Sequence, residues 1–440
     1  MSGEGHRPPR IVIVGGGFGG AYCAQALERK LRPGEAEVVL IDRNNYFIFY
    51  PLLAEAGTGS LEPRHAVVSI RAFLDRTRFL MGRVRSVDRG TRTVVVELPD
   101  GETTRTLEYD HLVLSPGSVT KLPDVPGLRE HGFEMKSLDD AVTLRDRCIR
   151  LLEQADGSED AADRRRLLHF VVVGANFTGV EVAGELHVFL TRALKHYSHV
   201  GKDDVAVTLV ELADRILPAL EEDLSAYATE NLRRRGLGVE LGTSVSRVEP
   251  KRAILFDHRE LATETVIWCA GIAPNPLVER IDVPTDERGY ILCERDLRVR
   301  GANDMWAIGD SAVNVDAAGE PYPATAQHAT RQGAHLAKNI VRVLRGEAAE
   351  PCDLDNLGAI AALGCRTGVA KILGVKLSGF PAWFMFRTVY LLKMPGLARK
   401  VRVALDWTID LLFPKDAVQL GLTKDRRGIR DAESAGRSSP

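Results

Sequence analysis

Two glycine-rich turns, each followed by an acidic residue, are the parts of the sequence best suited to bind a cofactor. The first follows an apolar strand-like run at residues 11–14 and has the spacing G-x-G-x-x-G at Gly15, Gly17 and Gly20. A second strand-like run ends at Asp42. In this pattern, N–H groups at a helix start bind a pyrophosphate and the acid binds a ribose hydroxyl. The sequence therefore predicts a dinucleotide site.

The same arrangement recurs further along the chain. A strand-like run at 169–173 leads into Gly174, the turn ends at Gly179, and a strand at 205–210 ends at Glu211. Asn176 replaces the middle glycine, and asparagine tolerates the left-handed backbone better than most residues do. Two such units predict two bound dinucleotides, and hence an enzyme that passes a hydride from one to the other.

The remaining elements must position these two turns. Strand-like runs followed by small-residue turns occur at 109–118 and 265–271, and a third run at 305–310 ends in Asp310. Alternation of buried strands with helices predicts an α/β fold with two Rossmann-like dinucleotide-binding domains. The charged residues at 154–166 are expected to form a solvated loop that leads into the second nucleotide unit.

Composition excludes several classes of function. The 58 basic and 60 acidic residues give a net charge of −2, so no global field favours nucleic acid. The six cysteines form no C-x-x-C pair and have none of the spacings of a zinc site, which predicts a reducing compartment and no metal. No nucleophilic triad is apparent, and no run is long and apolar enough to span a bilayer.

Residues 377–415 differ from the rest because they are rich in aromatic and basic residues. Met394-Pro395-Gly396 divides them into two short amphipathic helices. In the second, Arg402, Asp406 and Asp410 are expected on a polar face opposite an apolar face. The apolar residues are Val403, Leu405, Trp407, Ile409, Leu411, Leu412 and Phe413. This pattern favours a helix lying in the membrane interface, with a core or dimer-interface helix pair as the alternative.

In their order, these motifs resemble the two-dinucleotide-binding flavoproteins and, within them, the type II NADH dehydrogenases, over about residues 9–422. The resemblance implies FAD at the first turn and NADH at the second. The implied FAD residues are Gly15, Gly17, Phe18, Gly19, Gly20, Asp42, Arg43, Ser115, Gly117, Asp310, Ala326 and Gln327. The implied NADH residues are Gly174, Asn176, Phe177, Thr178, Gly179, Glu181, Glu211, Ala270 and Gly271.

The resemblance also implies catalytic roles and a quinone acceptor. Glu181 would order the nicotinamide side and relay protons, with Lys376 as its partner, and Gln327 would orient flavin and quinone. Glu211 would repel a 2′-phosphate, which favours NADH over NADPH. The string at 322–333 is similar to the family's A-Q-x-A-x-Q-Q-G, in which Gln327 and Gln332 fit. Arg331 departs from that string and places a cation at the implied quinone site formed by Gln327, Arg331 and Gln332.

The resemblance further implies a homodimer docked as a peripheral protein on the cytoplasmic face of the cell membrane. An FAD-binding domain is expected at 9–120 and 286–350, and an NADH-binding domain at 121–285. A membrane-docking and dimerisation region is expected at 351–423, followed by a disordered tail at 424–440.

Three alternatives remain open at this stage. A sulfide:quinone oxidoreductase shares the architecture but needs paired cysteines, for which Cys148 with Cys352 or Cys365 would have to serve in surroundings that look buried and apolar. A ferredoxin or rubredoxin reductase would not require the C-terminal segment. A flavoprotein redox sensor with slow turnover is motivated by the departures at Asn176 and Arg331.

Overall fold

The first of two parallel sheets contains the N-terminal glycine-rich turn. The computed structural model describes residues 7–413, 417–419 and 421, so the tail expected at 424–440 lies outside the described residues. Five parallel strands form the sheet. Their spatial order is Met305–Ala307, His111–Leu114, Arg10–Val14, Glu37–Asp42 and Arg78–Met81. Its interior strands are almost wholly buried, as expected for a parallel sheet covered on both faces.

The second sheet repeats this design. Its five parallel strands are, in spatial order, Gly132–Glu134, Thr265–Trp268, His169–Val173, Ala206–Glu211 and Gly238–Leu241. In both sheets the central strand leads directly into a glycine-rich turn, and the neighbouring strand ends in the acid, Asp42 or Glu211. Because parallel strands end at the same edge, each acid lies beside its turn. The predicted α/β class with Rossmann-like domains is confirmed.

Helices cover the sheets and connect them. They span Phe18–Lys30, Leu53–Ala56, Ile70–Phe73, Leu128–His131, Leu138–Asp156, Ala161–Leu167, Phe177–Ala193, Glu222–Arg234, Ala326–Leu344, Phe380–Lys393 and Leu397–Leu412. Short 3₁₀ turns span Tyr50–Leu52, Pro63–Ala66, Leu194–His196, Lys202–Asp204, Val278–Arg280 and Gly309–Ser311. Helix Ala326–Leu344 lies so close to helix Phe18–Lys30 that a Cβ at Gly333 would come within 2.4 Å of the Gly19 carbonyl oxygen. Glycine is therefore required there by packing.

Smaller sheets, all but one of them antiparallel, complete the described fold. Three three-stranded sheets consist of Arg83–Asp88, Thr93–Glu97 and Thr104–Glu108; of Val245–Glu249, Arg252–Leu255 and Glu260–Ala262; and of Gly358–Gly364, Thr367–Ile372 and Val375–Gly379. The two-stranded pairs are Tyr46–Ile48 with Val67–Ser69, Ser118–Thr120 with Ile272–Pro274, and the parallel pair Ile291–Leu292 with Ala312–Val313. The last three-stranded sheet connects the Rossmann-like core to the C-terminal helices.

The connector at 154–166 is largely helical, so the prediction of a loop is wrong, although all of its residues except Ala155 are at least partly exposed, as predicted. Helix Leu138–Asp156 enters it, and Ala161–Leu167 forms a further helix whose first turn is capped by the Asp160 carboxylate. Arg166 binds Asp163 and Glu264, and only modest parts of the Arg166 and Glu264 side chains are exposed. Helix capping and ion pairing thus stabilise a helix in this segment, although its many charged residues had indicated a loop.

The C-terminal helices begin and end where the Met-Pro-Gly break predicts, but the faces of the second one are assigned differently. Val403 and Trp407 are buried in the core, and Asp406 on the same side contacts Nδ1 of His65 at 2.5 Å. Leu405 and Ile409, by contrast, are exposed. The predicted opposition of three charged residues to one apolar face is therefore wrong. The helix uses a mixed face to bind the protein and leaves an apolar face in solvent.

Candidate functional site

The first turn is a tight backbone cradle. Gly15 has φ of +101°, and its N–H donates to the Ile41 carbonyl at 2.8 Å. A Cβ on Gly20 would lie 1.9 Å from the Gly15 carbonyl oxygen, whereas one on Gly17 would meet nothing within 4 Å. Gly20 therefore serves the turn itself, while Gly17 borders open space. That space is where a ligand's phosphates could approach the backbone.

Asp42 closes this cradle. Its carboxylate accepts the Gly16 N–H at 2.6 Å and the Asn44 N–H at 2.8 Å. Burial raises the pKa of Asp42, and the two N–H donors and the nearby Arg43 oppose that rise. The carboxylate is thus oriented towards the end of the turn, where it can accept a further hydrogen bond from a ribose hydroxyl.

A cavity of about 740 Å³ opens in front of this turn. It is lined by most of the residues that the sequence implied for FAD, namely Gly15, Gly17, Phe18, Gly19, Asp42, Arg43, Ser115, Gly117, Asp310 and Ala326. Gly20 lies behind the turn and fits the packing role described above. The first sheet and the start of helix Ala326–Leu344 therefore surround one elongated site.

Sequence reasoning missed Lys136 at this cavity. Its Nζ donates to the Ser118 hydroxyl at 3.0 Å, and that hydroxyl donates to Asp310 at 2.9 Å. Burial lowers the pKa of Lys136, and Asp310 and Glu134 oppose this effect. Lys136 follows the edge strand of the second sheet, so the second domain contributes a cation to the first domain's cavity. Its position just after a strand was the available signal.

The second turn has the same geometry as the first. Gly174 has φ of +95°, its N–H donates to Val210 at 2.8 Å, and a Cβ on Gly179 would lie 1.8 Å from the Gly174 carbonyl oxygen. The Glu211 carboxylate accepts the Ala175 N–H at 2.5 Å and the Ala213 N–H at 3.0 Å. Glu211 therefore occupies the place that Asp42 has in the first domain.

Asn176 fits the turn for a reason that the sequence did not indicate. Its φ is −72°, the same as that of Gly17, so no left-handed backbone is needed, and that expectation is wrong. The Asn176 side chain instead accepts the Gly179 N–H at 3.0 Å and donates to the Cys269 carbonyl at 2.8 Å. Asparagine at position 176 therefore caps the helix and adds a hydrogen bond to the residue that follows strand Thr265–Trp268.

The segment after strand Thr265–Trp268 closes over this turn. A Cβ on Gly174 would lie 2.6 Å from the Cα of Ala270, and Gly271 has φ of +73°. Phe177 and Thr178 open the helix that follows Asn176. Ala270 and Gly271 are thereby held against the turn with the residues that the sequence implied for NADH.

Glu181 lies in the first turns of helix Phe177–Ala193, among protein groups that disfavour its charge. The Ala362 N–H approaches its carboxylate at 3.5 Å. Burial raises the pKa of Glu181 well above its ordinary value, and the neighbouring Glu55 and Glu185 raise it further. These surroundings favour the protonated form of the Glu181 carboxyl, which can act as a proton donor.

Comparisons with known proteins agree with this doubled site. Residues 9–333 match the family model described as pyridine nucleotide-disulphide oxidoreductase. The chain belongs to this family. It is 31% identical to the type II NADH:quinone oxidoreductase Ndh of Mycobacterium tuberculosis, over 96% of this chain and 93% of the relative. It is 30% identical to the demethylphylloquinone reductase NdbB of Synechocystis, over 91% and 95%.

A solved structure extends the likeness to the fold of nearly the whole chain. NDH2 of Plasmodium falciparum in complex with NADH superimposes with a TM-score of 0.86 at 19% identity, covering 94% of this chain and 100% of that one. The predicted membership of the type II NADH dehydrogenase group within the pyridine nucleotide-disulphide oxidoreductases is thus confirmed. The likeness in fold includes the C-terminal region as well as the two Rossmann-like domains.

In this family member, Lys376 does not face Glu181. Its Nζ binds both carboxylate oxygens of Asp223 at 2.9 Å, at an exposed site beside helix Glu222–Arg234. Strand Val375–Gly379 alternates its side chains across the sheet, and this register turns Lys376 towards Asp223. The expected partnership of Lys376 with Glu181 is wrong.

The residues of the segment expected to contact quinone make contacts in different parts of the protein. Gln332 is only 3% exposed, and its side-chain oxygen accepts the Gly309 N–H at 2.9 Å, so it fixes the turn before Asp310 instead of facing a substrate. Arg331 donates to the Asp355 carbonyl at 2.5 Å, which ties its guanidinium to the segment that follows the helix. Gln327 lies half-buried in the first turn of that helix, beside Ala326 of the cavity lining.

The cysteines do not support sulfide chemistry. All six are free. Cys148 is buried in the core of the second domain and Cys352 in that of the first, while Cys365 is exposed in a tight turn with φ of +50°, contrary to the buried surroundings expected for it. The pairs considered for a sulfide:quinone oxidoreductase are therefore not formed. Within the described ranges, no group of His, Cys, Asp or Glu could hold a metal ion.

Proposed function

We propose that this protein is an FAD-dependent oxidoreductase that takes a hydride from NADH and passes two electrons to a membrane quinone without pumping protons. The observation that carries the proposal is the pair of equivalent turns, each with its acid, at the ends of two parallel sheets in one chain. The family relatives named as NADH:quinone oxidoreductases support the same reaction.

The first cavity fits FAD. The glycine cradle admits a pyrophosphate, Asp42 is oriented for the adenosine ribose, and Asp310 with Lys136 and Ser118 offers polar groups to a ribityl chain. When bound there, FAD supplies the capacity to accept a hydride and release electrons to the acceptor. The task of these residues is to bind and orient FAD and to exclude water from its ring.

A substitution at Gly20 tests this cradle. Gly20→Ala is expected to prevent flavin binding and to destabilise the protein by about 1–3 kcal/mol, because its Cβ would overlap the Gly15 carbonyl oxygen. Flavin absorbance per protein and thermal unfolding measure both effects. The matched control is Gly157→Ala, whose Cβ would meet its nearest atom at 3.6 Å. Full flavin content in Gly20→Ala would contradict the assignment.

The second turn, with Glu211, is proposed to hold NADH, and Glu181 to order the nicotinamide side. Reduction of a quinone by NADH consumes one proton beyond the transferred hydride, and Glu181, whose surroundings raise its pKa, is proposed to supply it. Gln327, at the start of helix Ala326–Leu344, is proposed to orient both flavin and quinone. Arg331 remains a proposed cation near the quinone approach, held by Asp355.

The exposed apolar face of the C-terminal helices is proposed to dock on the membrane. We name this face the docking surface, and it consists of Phe380, Phe384, Leu392, Leu397, Val401, Leu405, Ile409 and Leu412. Arg402 and Lys393 are exposed beside it and suit anionic headgroups. No helix in the described part of the chain is both long and apolar enough to cross a bilayer.

The remaining assignments are also part of this proposal. We propose attachment at the cytoplasmic face of the cell membrane, a homodimer, an FAD domain at 9–120 and 286–350, and an NADH domain at 121–285. The region at 351–423 is proposed to dock on the membrane and to dimerise. Light scattering of the purified protein in detergent, which is expected to give twice the chain mass, tests the dimer.

Anaerobic stopped-flow absorbance at the flavin band tests the function. NADH is expected to bleach the flavin rapidly, and a ubiquinone or menaquinone analogue to restore it rapidly through many turnovers. Bleaching without recovery would refute the quinone reaction and favour the redox-sensor alternative. Absence of bleaching by NADH would refute the assignment of the second turn.

A further inference from the structure

A buried carboxylate, Glu55, connects the C-terminal helices to Glu181. Glu55 lies in helix Leu53–Ala56 and is 4% exposed. One of its oxygens accepts the indole N–H of Trp407 at 2.6 Å, and the other lies 3.9 Å from the Arg387 guanidinium. Both partners come from helices that carry the docking surface.

Arg387 is held in place by two indole rings. Its guanidinium carbon lies 4.6 Å from the ring centre of Trp383 and 4.7 Å from that of Trp407. Stacking between aromatic faces fixes a guanidinium and keeps it charged. A carboxylate that faces such a cation and accepts an indole N–H is stabilised in its ionised form. These two contacts favour the ionised form of Glu55.

Glu181 has different surroundings. From strand Gly358–Gly364 it receives the Ala362 N–H at 3.5 Å. From helix Leu53–Ala56 it faces Glu55, from its own helix Glu185, and from helix Phe380–Lys393 the phenol of Tyr390, whose pKa is raised by burial and by Glu181. Glu55 and Glu185 repel a negative charge on Glu181. The Ala362 N–H, at 3.5 Å, is the contact that favours that charge.

We propose that Glu55 is a positioning residue whose fixed negative charge keeps the proton of this carboxyl pair on Glu181, and that Arg387 and Trp407 enforce that distribution. The inference rests on the proposed role of Glu181 in the quinone reaction. In the balanced reaction, NADH, quinone and one proton give NAD⁺ and quinol. The proton leaves Glu181 for the quinone oxygen, and solvent must replace it.

Glu185 offers the route for that replacement. It lies one helical turn from Glu181, is partly exposed, and accepts a hydrogen bond from the Ser60 hydroxyl at 3.2 Å. Glu55, which Trp407 and Arg387 contact, acts in this proposal by its charge. The packing of helices Phe380–Lys393 and Leu397–Leu412 against Glu55 thereby sets the proton affinity of Glu181.

Infrared difference spectroscopy of the holoenzyme tests the proposal directly. The protonated carboxyl band that disappears in Glu181→Gln reports on Glu181, and its pH titration gives the midpoint. In Glu55→Gln, which can still accept the Trp407 N–H, the midpoint is expected to fall by about one pH unit, a tenfold weaker proton affinity. Arg387→Met, which keeps bulk between the indoles, is expected to lower it as well, because Glu55 then takes up a proton.

Two controls separate this effect from a general disturbance. Glu62→Gln removes an exposed carboxylate near the same helices, and Arg402→Met removes an exposed guanidinium beside the docking surface; neither is expected to move the midpoint. Should Glu55→Gln fail to fold, Trp407→Phe keeps the ring and removes the N–H donor. It is expected to lower the midpoint in the same direction by a smaller amount.

The rate of flavin reoxidation by a soluble quinone gives an independent readout. Since the protonated Glu181 is the active form, the rate falls as pH rises through its midpoint, and this limb is expected to move to lower pH in Glu55→Gln. An unchanged midpoint in folded Glu55→Gln or Arg387→Met would overturn the positioning role. A shifted midpoint in a protein that does not reduce quinones would support the positioning role while refuting the proposed function.

Discussion

Replacing Glu211 with glutamine is expected to lower the preference for NADH over NADPH by about 10- to 100-fold in kcat/KM. The carboxylate is fixed by the N–H groups of Ala175 and Ala213, so its charge is presented where a ribose 2′ substituent would lie. It can accept a hydrogen bond from a hydroxyl but repels a phosphate. Glutamine removes the repulsion and weakens the accepted hydrogen bond.

The comparison is made with both nucleotides on the same variant, so any damage to the turn cancels in the ratio. Glu240→Gln is the matched control, because Glu240 lies on the adjacent strand but pairs with Arg259 at the surface. Its ratio is expected to equal that of the unaltered protein. A preference for NADPH in the unaltered protein would show that the assignment of Glu211 is wrong.

Placing charges on the docking surface is the second change with a large expected effect. The double substitution Leu405→Glu with Ile409→Glu is expected to weaken binding to anionic vesicles by at least about 100-fold, since each leucine-sized side chain contributes about 1.5–3 kcal/mol on leaving water. Both side chains are more than half exposed, so the fold is expected to remain intact. Cosedimentation with vesicles measures the loss.

NADH oxidation with a soluble dye acceptor should be retained in this variant, which separates docking from chemistry. Phe256→Glu is the matched control, because Phe256 is equally exposed but lies in the turn directly after strand Arg252–Leu255 of the second domain. Substitution is preferable to truncation, since Val403 and Trp407 belong to the core of the first domain and their loss would expose it. Unchanged vesicle binding would refute the docking surface.

Both glycine-rich turns could be predicted because each is a local feature. Strand, turn, helix and acid follow one another within a short stretch, and the requirement for positive φ at Gly15 and Gly174 is encoded in those residues themselves. The break between the C-terminal helices is local in the same sense, since Pro395 and Gly396 interrupt a helix wherever they occur. The family resemblance added cofactor identities to these positions.

Roles that depend on partners distant in sequence could not be predicted. Lys376 binds Asp223, Trp407 donates to Glu55, and Lys136 reaches the cavity of the other domain, all across more than a hundred residues or across a domain boundary. Periodicity indicates which face of a helix is apolar but not which face is covered, and this is why the last helix was assigned incorrectly.

The sequence by itself determined two dinucleotide-binding units, their acids and an unusual C-terminal segment, because short-range backbone geometry and helix patterning specify these. The tertiary structure decided which groups surround each of the carboxyls Glu55 and Glu181. Glu55 and Glu181 are the same residue type; Glu55 is buried and Glu181 is partly buried. The packing of helices that are distant in sequence gives Glu55 a cation and an N–H donor, whereas Glu181 faces other acids. Because an unpaired charge is costly to bury, these surroundings favour the charged form of Glu55 and the protonated form of Glu181.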